Sequence, residues 1–152
     1  MKNDIKNEVL NLFKNQPVLA SFATVTENKK PWVRYVTVFI DQETLEMRFA
    51  TSTESRKVQH ISKQPEVHLT CGINDPKQFP GSYLQIQGIA KLSTTVLERK
   101  LAWDQYPNNE LETHFKGIND PKYGVIIVEP YCIELVKFDN NGYHRLVWDL
   151  RV

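Results

Sequence analysis

The feature that most constrains the fold is a run of short β-type segments with little helical sequence between them. Residues 18–25, 32–40 and 45–51 are rich in β-branched and aromatic side chains or alternate between apolar and polar ones, which is typical of strands. Short polar turns separate the three segments, so they predict an antiparallel meander. Further strands are predicted at 67–73, 83–92, 123–128, 131–138 and 143–150.

Three helices are predicted around these strands. The first ends at Pro17 and presents one apolar face, made of Ile5, Val9, Leu12 and Phe13. The others cover 53–62 and 94–106, the latter beginning at a Ser/Thr cap. Because strands and helices do not alternate regularly, doubly wound and triosephosphate-isomerase-type folds are disfavoured. We expect a single domain over residues 1–152, of the mainly β class: a small antiparallel barrel with flanking helices.

Three local features predict where the strands bend, stop or turn. Gly88 lies inside the long segment 83–92, which suggests a bulge or a bend there. Glu129 and Pro130 separate the strands predicted on either side of them. Asn141-Gly142 is typical of a tight hairpin turn, so the last strand is predicted to return antiparallel.

Composition excludes several function classes. Nineteen basic and eighteen acidic residues give a net charge of +1, so no overall bias towards nucleic acid or acidic membranes is expected. No apolar run resembles a signal peptide or approaches the roughly 18 residues of a membrane helix. Cys71 and Cys132 lie far apart in apolar runs, which predicts reduced, buried thiols and a cytoplasmic protein. The four histidines lack metal-ligand spacing, and no metal is predicted.

The segment with the most chemistry is 50–57, where a predicted strand runs directly into a predicted helix. After Ala50 it contains hydroxyl side chains, including Thr51, Ser52 and Ser55, and then the cations Arg56 and Lys57. The first turn of a helix offers free backbone N–H groups and a partial positive charge, so the segment predicts an anion site, such as one for phosphate. The alternative is simple capping, in which Thr51 and Glu54 form a capping box.

Arg34 strengthens the anion hypothesis. It shares a strand face with Trp32, Val36 and Val38, and a guanidinium on an apolar face is costly unless it is paired. One partner is a carboxylate such as Glu46 on the neighbouring strand. The other is a bound phosphate, which a guanidinium holds with bidentate geometry.

The order and spacing of several motifs resemble one protein family. The motifs are Pro31-x-x-Arg34, Leu45-x-Met47-x-Phe49-Ala50-Thr51, Ser55-x-Lys57, Leu84-x-Ile86-x-Gly88-x-Ala90, Trp103…Phe115-x-Gly117-x-x-Asp120-Pro121-x-Tyr123 and Val128-x-Pro130-x-x-Ile133-Glu134. In this order they cover nearly the whole chain and resemble the pyridoxamine 5′-phosphate oxidase-like FMN-binding split barrels. Within that family the chain is similar to the bacterial general stress protein branch.

The resemblance implies a split antiparallel β-barrel that forms a homodimer, with FMN held between the subunits. It implies phosphate contacts from Arg34 and Lys57, with Thr51 and Ser55 as hydroxyl donors and Arg56 as a further contact. Ala50 and Ser52, on either side of Thr51, are also implied to contact the cofactor. It also implies that the backbone of Tyr35, Val36 and Thr37 runs along the edge of the flavin ring. Further contacts are implied for Gln85, from the long strand, and for Trp103 and Phe115, either of which could come from the partner subunit. Trp103 is equally consistent with an ordinary core anchor.

The function expected from the resemblance is a flavin-dependent oxidoreductase that uses a small-molecule substrate or electron donor. No side chain is a convincing general acid or base, so none is predicted as catalytic. One alternative is a flavin-binding store or sensor without turnover; another is a split barrel that binds haem or a deazaflavin. Vitamin B6 oxidation is not expected, because residues 143–152 do not reproduce the Trp and Arg pattern that true pyridoxamine-phosphate oxidases use for the substrate phosphate.

Overall fold

The computed structural model describes residues 2–151, and its secondary structure is mainly β. The strands are β1 (Val18–Val25), β2 (Pro31–Ile40), β3 (Met47–Ser52), β4 (Glu66–Cys71), β5 (Tyr83–Ser93), β6 (Tyr123–Asp139) and β7 (Gly142–Asp149). The helices are α1 (Lys2–Leu12), α2 (Arg56–Lys63) and α3 (Val96–Gln105), with short 3-10 turns at Pro76–Gln78 and Glu110–Thr113. The predicted mainly β class with three α-helices is confirmed.

All strand pairs are antiparallel, and the sheet closes on itself. The order is β3-β2-β1-β4-β5-β6-β7, and an additional pairing of β3 with β6 completes a barrel of six strands. The first part of β6 pairs with β3, from Tyr123↔Ser52 to Val128↔Met47. The second part pairs instead with β7, beginning at Cys132↔Asp149. β6 therefore belongs to the barrel along its first half and to a hairpin along its second.

The prediction of two strands at 123–128 and 131–138 is wrong, because one continuous strand covers both. β5 pairs with this strand from Val125 to Val136, across the predicted break, and holds it together. The register shifts where Gly88 pairs with Pro130 while Gln87 pairs with Cys132, so Tyr131 is the extra residue of a bulge. Pro130 lacks an N–H and is tolerated at such a bulge. The predicted irregularity at Gly88 is confirmed: a Cβ there would meet Val128 Cγ1 at 2.6 Å.

Two predicted strands are longer than the observed ones, and positive φ angles explain the difference. Leu45 has a φ of 65° and lies in the turn that precedes β3, so the strand begins at Met47 and not at residue 45. Gly72 has a φ of 117° and ends β4 before Ile73. Both conformations lie outside the β region.

The main core fills the barrel, and α1 packs on it. Phe22 and Phe49 are buried at its centre, with ring centroids 5.1 Å apart in an edge-to-face arrangement. The predicted inner face of α1 is confirmed, because Ile5, Val9 and Phe13 are buried in this cluster and Leu12 packs against it. A second, smaller cluster lies under α3, and Thr95 caps that helix as the sequence predicted.

The two cysteines are free thiols, as predicted. Cys71 is buried, and burial raises the pKa of its thiol to about 12. Cys132 is only half-buried, so the prediction of a buried side chain is wrong at this position. Within residues 2–151, no helix is long and apolar enough to cross a membrane.

Candidate functional site

A cleft of about 620 Å³ opens between β2 and β3. The two strands pair only at Phe39↔Arg48 and Ile40↔Met47, and beyond that point each pairs with another neighbour. The side chain of Tyr106 bridges the gap. Its hydroxyl accepts from the Ala50 N–H at 2.9 Å and donates to the Thr37 carbonyl at 3.4 Å. The cleft thus lies where the barrel splits.

Many of the predicted site residues line this cleft. They are Tyr35, Val36 and Thr37 from β2, Ala50, Thr51 and Ser52 from β3, Lys57 from α2 and Phe115 from the segment after α3. Leu19 and Phe49 add apolar wall, and His114 and Lys122 add polar groups. The predicted segments therefore come together, although they are distant in sequence.

The start of α2 differs from both the predicted helix and the predicted capping box. The helix begins at Arg56 and not at residue 53, because Ser55 has an extended backbone and its Oγ accepts from the Val58 N–H at 3.4 Å. Thr51 is not the cap, and its Oγ1 lies 3.1 Å from the Ser55 Oγ. The capping box of Thr51 with Glu54 is therefore wrong. The hydroxyl groups instead gather beside the first turn of α2, which carries Lys57.

Arg34 is half-buried and is held by neutral groups. Its Nη1 donates to Thr24 Oγ1 at 2.7 Å and to the Phe22 carbonyl at 3.2 Å. The alternative of a pair with Glu46 is wrong, because the Glu46 carboxylate lies 3.9 Å from Arg48 instead. Within residues 2–151, no carboxylate lies within salt-bridge distance of Arg34.

The positive charges at this end of the barrel repel one another. Burial lowers the pKa of the Lys57 ammonium, and the nearby charge of Arg34 lowers it further. Burial and the charge of Arg56 act in the same direction on the pKa of Arg34. In the described part of the chain, neither Lys57 nor Arg56 forms a salt bridge. A cluster of this kind favours the binding of an anion.

Sequence reasoning missed His60, which is buried at the centre of this cluster. Its Nδ1 lies 2.7 Å from Thr24 Oγ1 and 3.4 Å from Arg34 Nη2. Burial lowers the pKa of the imidazole, and the charges of Arg34 and Arg56 lower it further. A signal was present, because His60 follows Lys57 by three positions and Arg56 by four on the same helix.

Tyr106, His114 and Lys122 were also missed, although each lines the cleft. They lie at or after the end of α3, in a segment without a strong periodic pattern. Burial raises the pKa of the Tyr106 phenol, which keeps it neutral as a hydrogen-bonding bridge.

Five predicted site residues do not line the cleft of their own chain: Arg34, Ser55, Arg56, Gln85 and Trp103. The contacts of Arg34 and Ser55 are given above, and the other three lie as follows. Gln85 lines a separate depression together with His68, Gln87 and Glu134. Trp103 is half-buried and packs on Tyr123, with ring centroids 5.3 Å apart, as a core anchor would. The guanidinium of Arg56 lies over the Trp32 ring, with its Cζ atom 4.8 Å from the ring centroid.

Comparison with known proteins places this geometry in a family. A family model described as "Pyridoxamine 5'-phosphate oxidase" matches residues 6–137. Among curated proteins, general stress protein 26 of Bacillus subtilis (strain 168) is 33% identical over 135 residues, covering 89% of this chain and 90% of the relative.

Solved structures show the same fold at lower identity. General stress protein 26 of Bacillus anthracis str. Sterne is 22% identical with a TM-score of 0.73, covering 93% of this chain and 98% of its own. A pyridoxamine 5'-phosphate oxidase-related, FMN binding protein of Nostoc punctiforme PCC 73102 is 15% identical with a TM-score of 0.66. The match covers 94% of this chain and 88% of that protein. A heme binding protein of Mycobacterium smegmatis is 13% identical with a TM-score of 0.70. The match covers 92% of this chain and 56% of that protein. The predicted split-barrel fold is confirmed.

Proposed function

This chain belongs to the pyridoxamine 5′-phosphate oxidase family, with general stress protein 26 among its relatives, and we propose that its cleft binds FMN. The observation that carries the proposal is the cluster of Arg34 and Lys57, neither of which forms a salt bridge within residues 2–151; Lys57 lines the mostly apolar cleft, and Arg34 lies close enough to lower its pKa. A phosphate would supply the missing negative charge, and the adjoining cleft would hold an aromatic ring system.

The phosphate half of the site consists of cations and hydroxyl groups. We assign charge-assisted contacts to Lys57 and to the Nε–H and one Nη2–H of Arg34, because Nη1 is occupied by neutral acceptors and the other Nη2–H faces His60 Nδ1. Thr51, Ser52 and Ser55 offer hydroxyl donors beside them. Arg56 lies close enough to lower the pKa of Arg34, so it adds positive potential even where it makes no direct contact.

The ring half of the site has the size and polarity that a flavin requires. Binding sites for cofactors are mostly apolar clefts of roughly 300–1,000 Å³, and this cleft has a volume of about 620 Å³. Tyr35, Val36 and Thr37 of β2 and Ala50 of β3 line it. Phe115 supplies an aromatic wall. When bound, a flavin supplies hydride and electron transfer, while the protein positions it and tunes its surroundings.

We propose that a second copy of the chain covers the cleft. Val33 and Tyr35 are 64% and 74% exposed on β2, and Leu19 beside them on β1 is 40% exposed. Leu19 and Tyr35 also line the cleft, and such apolar exposure typically marks an interaction surface. Gln85 and Trp103 lie outside the cleft of their own chain, so their predicted contacts with FMN require a dimer.

The dimer is tested with Val33→Glu, which places a charge in the proposed interface. The expected result is a monomer in light scattering after size-exclusion chromatography, together with weaker FMN binding. Val147→Glu is the matched control, because Val147 is 54% exposed on β7, away from the cleft. A wild-type protein that is monomeric with FMN bound would contradict the proposed dimer.

The cofactor is tested by titration with FMN and with riboflavin, which lacks the phosphate. Arg34→Ala combined with Lys57→Ala should weaken FMN binding by about 3–6 kcal/mol, since each charge-assisted hydrogen bond contributes about 1.5–3 kcal/mol. Riboflavin binding should change little. Wild-type protein that remains colourless after incubation with FMN would refute the proposal.

We further propose that the protein is a cytoplasmic flavin-dependent oxidoreductase, with a substrate other than a vitamin B6 phosphate. The free thiols of Cys71 and Cys132 are consistent with a reducing compartment. Bleaching of the bound flavin by NADH or NADPH, followed by reoxidation with an added acceptor, would support an enzyme. A bound flavin that no donor reduces would support storage or sensing instead.

Haem is the second candidate ligand, because His114 lines the cleft and an imidazole is a common iron ligand. A haem-type absorption band after incubation with hemin, lost in His114→Ala, would favour it. A deazaflavin would be distinguished from FMN by mass spectrometry of the molecule released on denaturation.

A further inference from the structure

A buried polar network stands behind the proposed phosphate-binding cations. Thr24 is 1% exposed, and its hydroxyl lies 2.7 Å from both Arg34 Nη1 and His60 Nδ1. His60 is 8% exposed and also reaches Arg34 Nη2 at 3.4 Å. Trp32 packs edge-on against the imidazole, with ring centroids 6.2 Å apart. The network joins β1, β2 and α2.

The donors of this network determine which atom of His60 is protonated. A guanidinium has only donors, so the contact with Arg34 requires Nδ1 to act as an acceptor. The Thr24 hydroxyl then donates to the same Nδ1 while it accepts from Arg34 Nη1. His60 is therefore neutral, with its proton on Nε2, and burial lowers its pKa in agreement with that state.

We infer that His60 is a positioning residue, which fixes the Arg34 guanidinium so that its remaining donors face the anion. Without the Nδ1 acceptor, Arg34 would be held through Nη1 alone, by Thr24 Oγ1 and the carbonyls of Phe22 and Trp32, and Nη2 would lose its partner. The guanidinium would then sample several orientations and lose entropy when an anion binds. The inference rests on the proposed binding of FMN phosphate and adds to it the residue that orients the main phosphate ligand.

Two substitutions distinguish the effect of the Nδ1 acceptor of His60 from the effect of its side-chain volume. His60→Asn keeps an acceptor at the δ position but removes volume, whereas His60→Leu keeps volume and removes the acceptor. We expect His60→Leu to weaken FMN binding by about tenfold, which corresponds to about 1.4 kcal/mol. His60→Asn should restore most of that affinity. Riboflavin affinity should be the same in all three proteins.

A double-mutant cycle tests whether His60 acts through Arg34. In an Arg34→Ala background, His60→Leu should cause no further loss of FMN affinity. Additive losses would overturn the inference, and so would a His60→Leu protein that binds FMN as tightly as wild type. A purely structural role would instead make affinity follow thermal stability, and His60→Asn would then bind no better than His60→Leu.

A ligand-free measurement keeps the inference separate from the identity of the cofactor. The NMR signals of the Arg34 guanidinium should show restricted rotation in wild type and in His60→Asn, and averaged rotation in His60→Leu. If wild type fails to bind FMN, the proposed function is refuted while this measurement still decides the role of His60. Identical Arg34 signals in all three proteins would overturn the inference.

Discussion

Replacing Lys57 by methionine should have opposite effects on folding and on cofactor binding. The Lys57 ammonium is partly buried beside Arg34, and both conditions lower its pKa. At neutral pH the charged form is therefore penalised in the ligand-free folded protein and not in the unfolded chain. Methionine keeps the length and flexibility of the stem and removes the charge. The ligand-free protein should become more stable. FMN should bind more weakly, because its proposed site has lost a cation.

The expected magnitudes follow from the surroundings of the side chain. Removing an unfavourable charge commonly gains about 0.5–2 kcal/mol, and in a domain of this size each kcal/mol raises Tm by about 2–4 °C. Loss of one charge-assisted hydrogen bond to a phosphate costs about 1.5–3 kcal/mol. That cost corresponds to FMN binding that is roughly ten to a hundred times weaker.

Thermal melts without ligand and flavin fluorescence titrations measure the two effects. Lys63→Met is the matched control, because Lys63 is exposed in the last turn of the same helix, where a cation is mildly favourable. It should leave FMN binding unchanged and stability equal or slightly lower. A Lys57→Met protein that melts lower than wild type, or that binds FMN equally well, would refute the reasoning about the charge cluster.

The remaining predictions concern the fold and its pH dependence. Gly88→Ala should destabilise the protein by about 1–3 kcal/mol in urea unfolding, because its Cβ would overpack the β5–β6 bulge; Gly117→Ala, with nothing within 4 Å, should be near neutral. Tyr106→Phe should cost about 1–3 kcal/mol and weaken FMN binding, because the partly buried N–H of Ala50 loses its acceptor. Ligand-free stability should fall as the pH drops below 6.5, the ordinary pKa of histidine, because burial lowers the pKa of His60 in the folded state. His60→Asn should therefore reduce the loss of stability between pH 7 and pH 5. An unchanged pH dependence of the free energy of unfolding would contradict the assignment of this loss to His60.

Much of the fold was predictable because hydrophobic periodicity reports local burial. The apolar face of α1 and the extended segments β1 and β2 followed from spacing alone. The continuity of β6 did not, because Pro130 normally ends a strand. Only the pairing with β5, distant in sequence, shows that a bulge accommodates it.

The candidate site was predictable in its charges and not in its framework. The basic residues at the start of α2 and Arg34 on an apolar strand both indicated an anion. The capping interpretation was wrong, since any of several neighbouring hydroxyls can cap a helix and sequence does not choose among them. His60 was missed because a histidine beside Thr24 and Arg34 is recognisable only once three separate elements are packed together.

The cleft exists because the β2–β3 ladder stops after two residue pairs. Beyond these pairs the Ala50 N–H of β3 and the Thr37 carbonyl of β2 are joined through the Tyr106 hydroxyl and not to each other. Unpaired strand edges are usually covered or blocked, since they invite association with other chains. A flavin ring has polar atoms along one edge and apolar faces, so it would meet these backbone groups and the apolar walls together. The same opening in the barrel would thus serve both the proposed cofactor and the proposed second subunit.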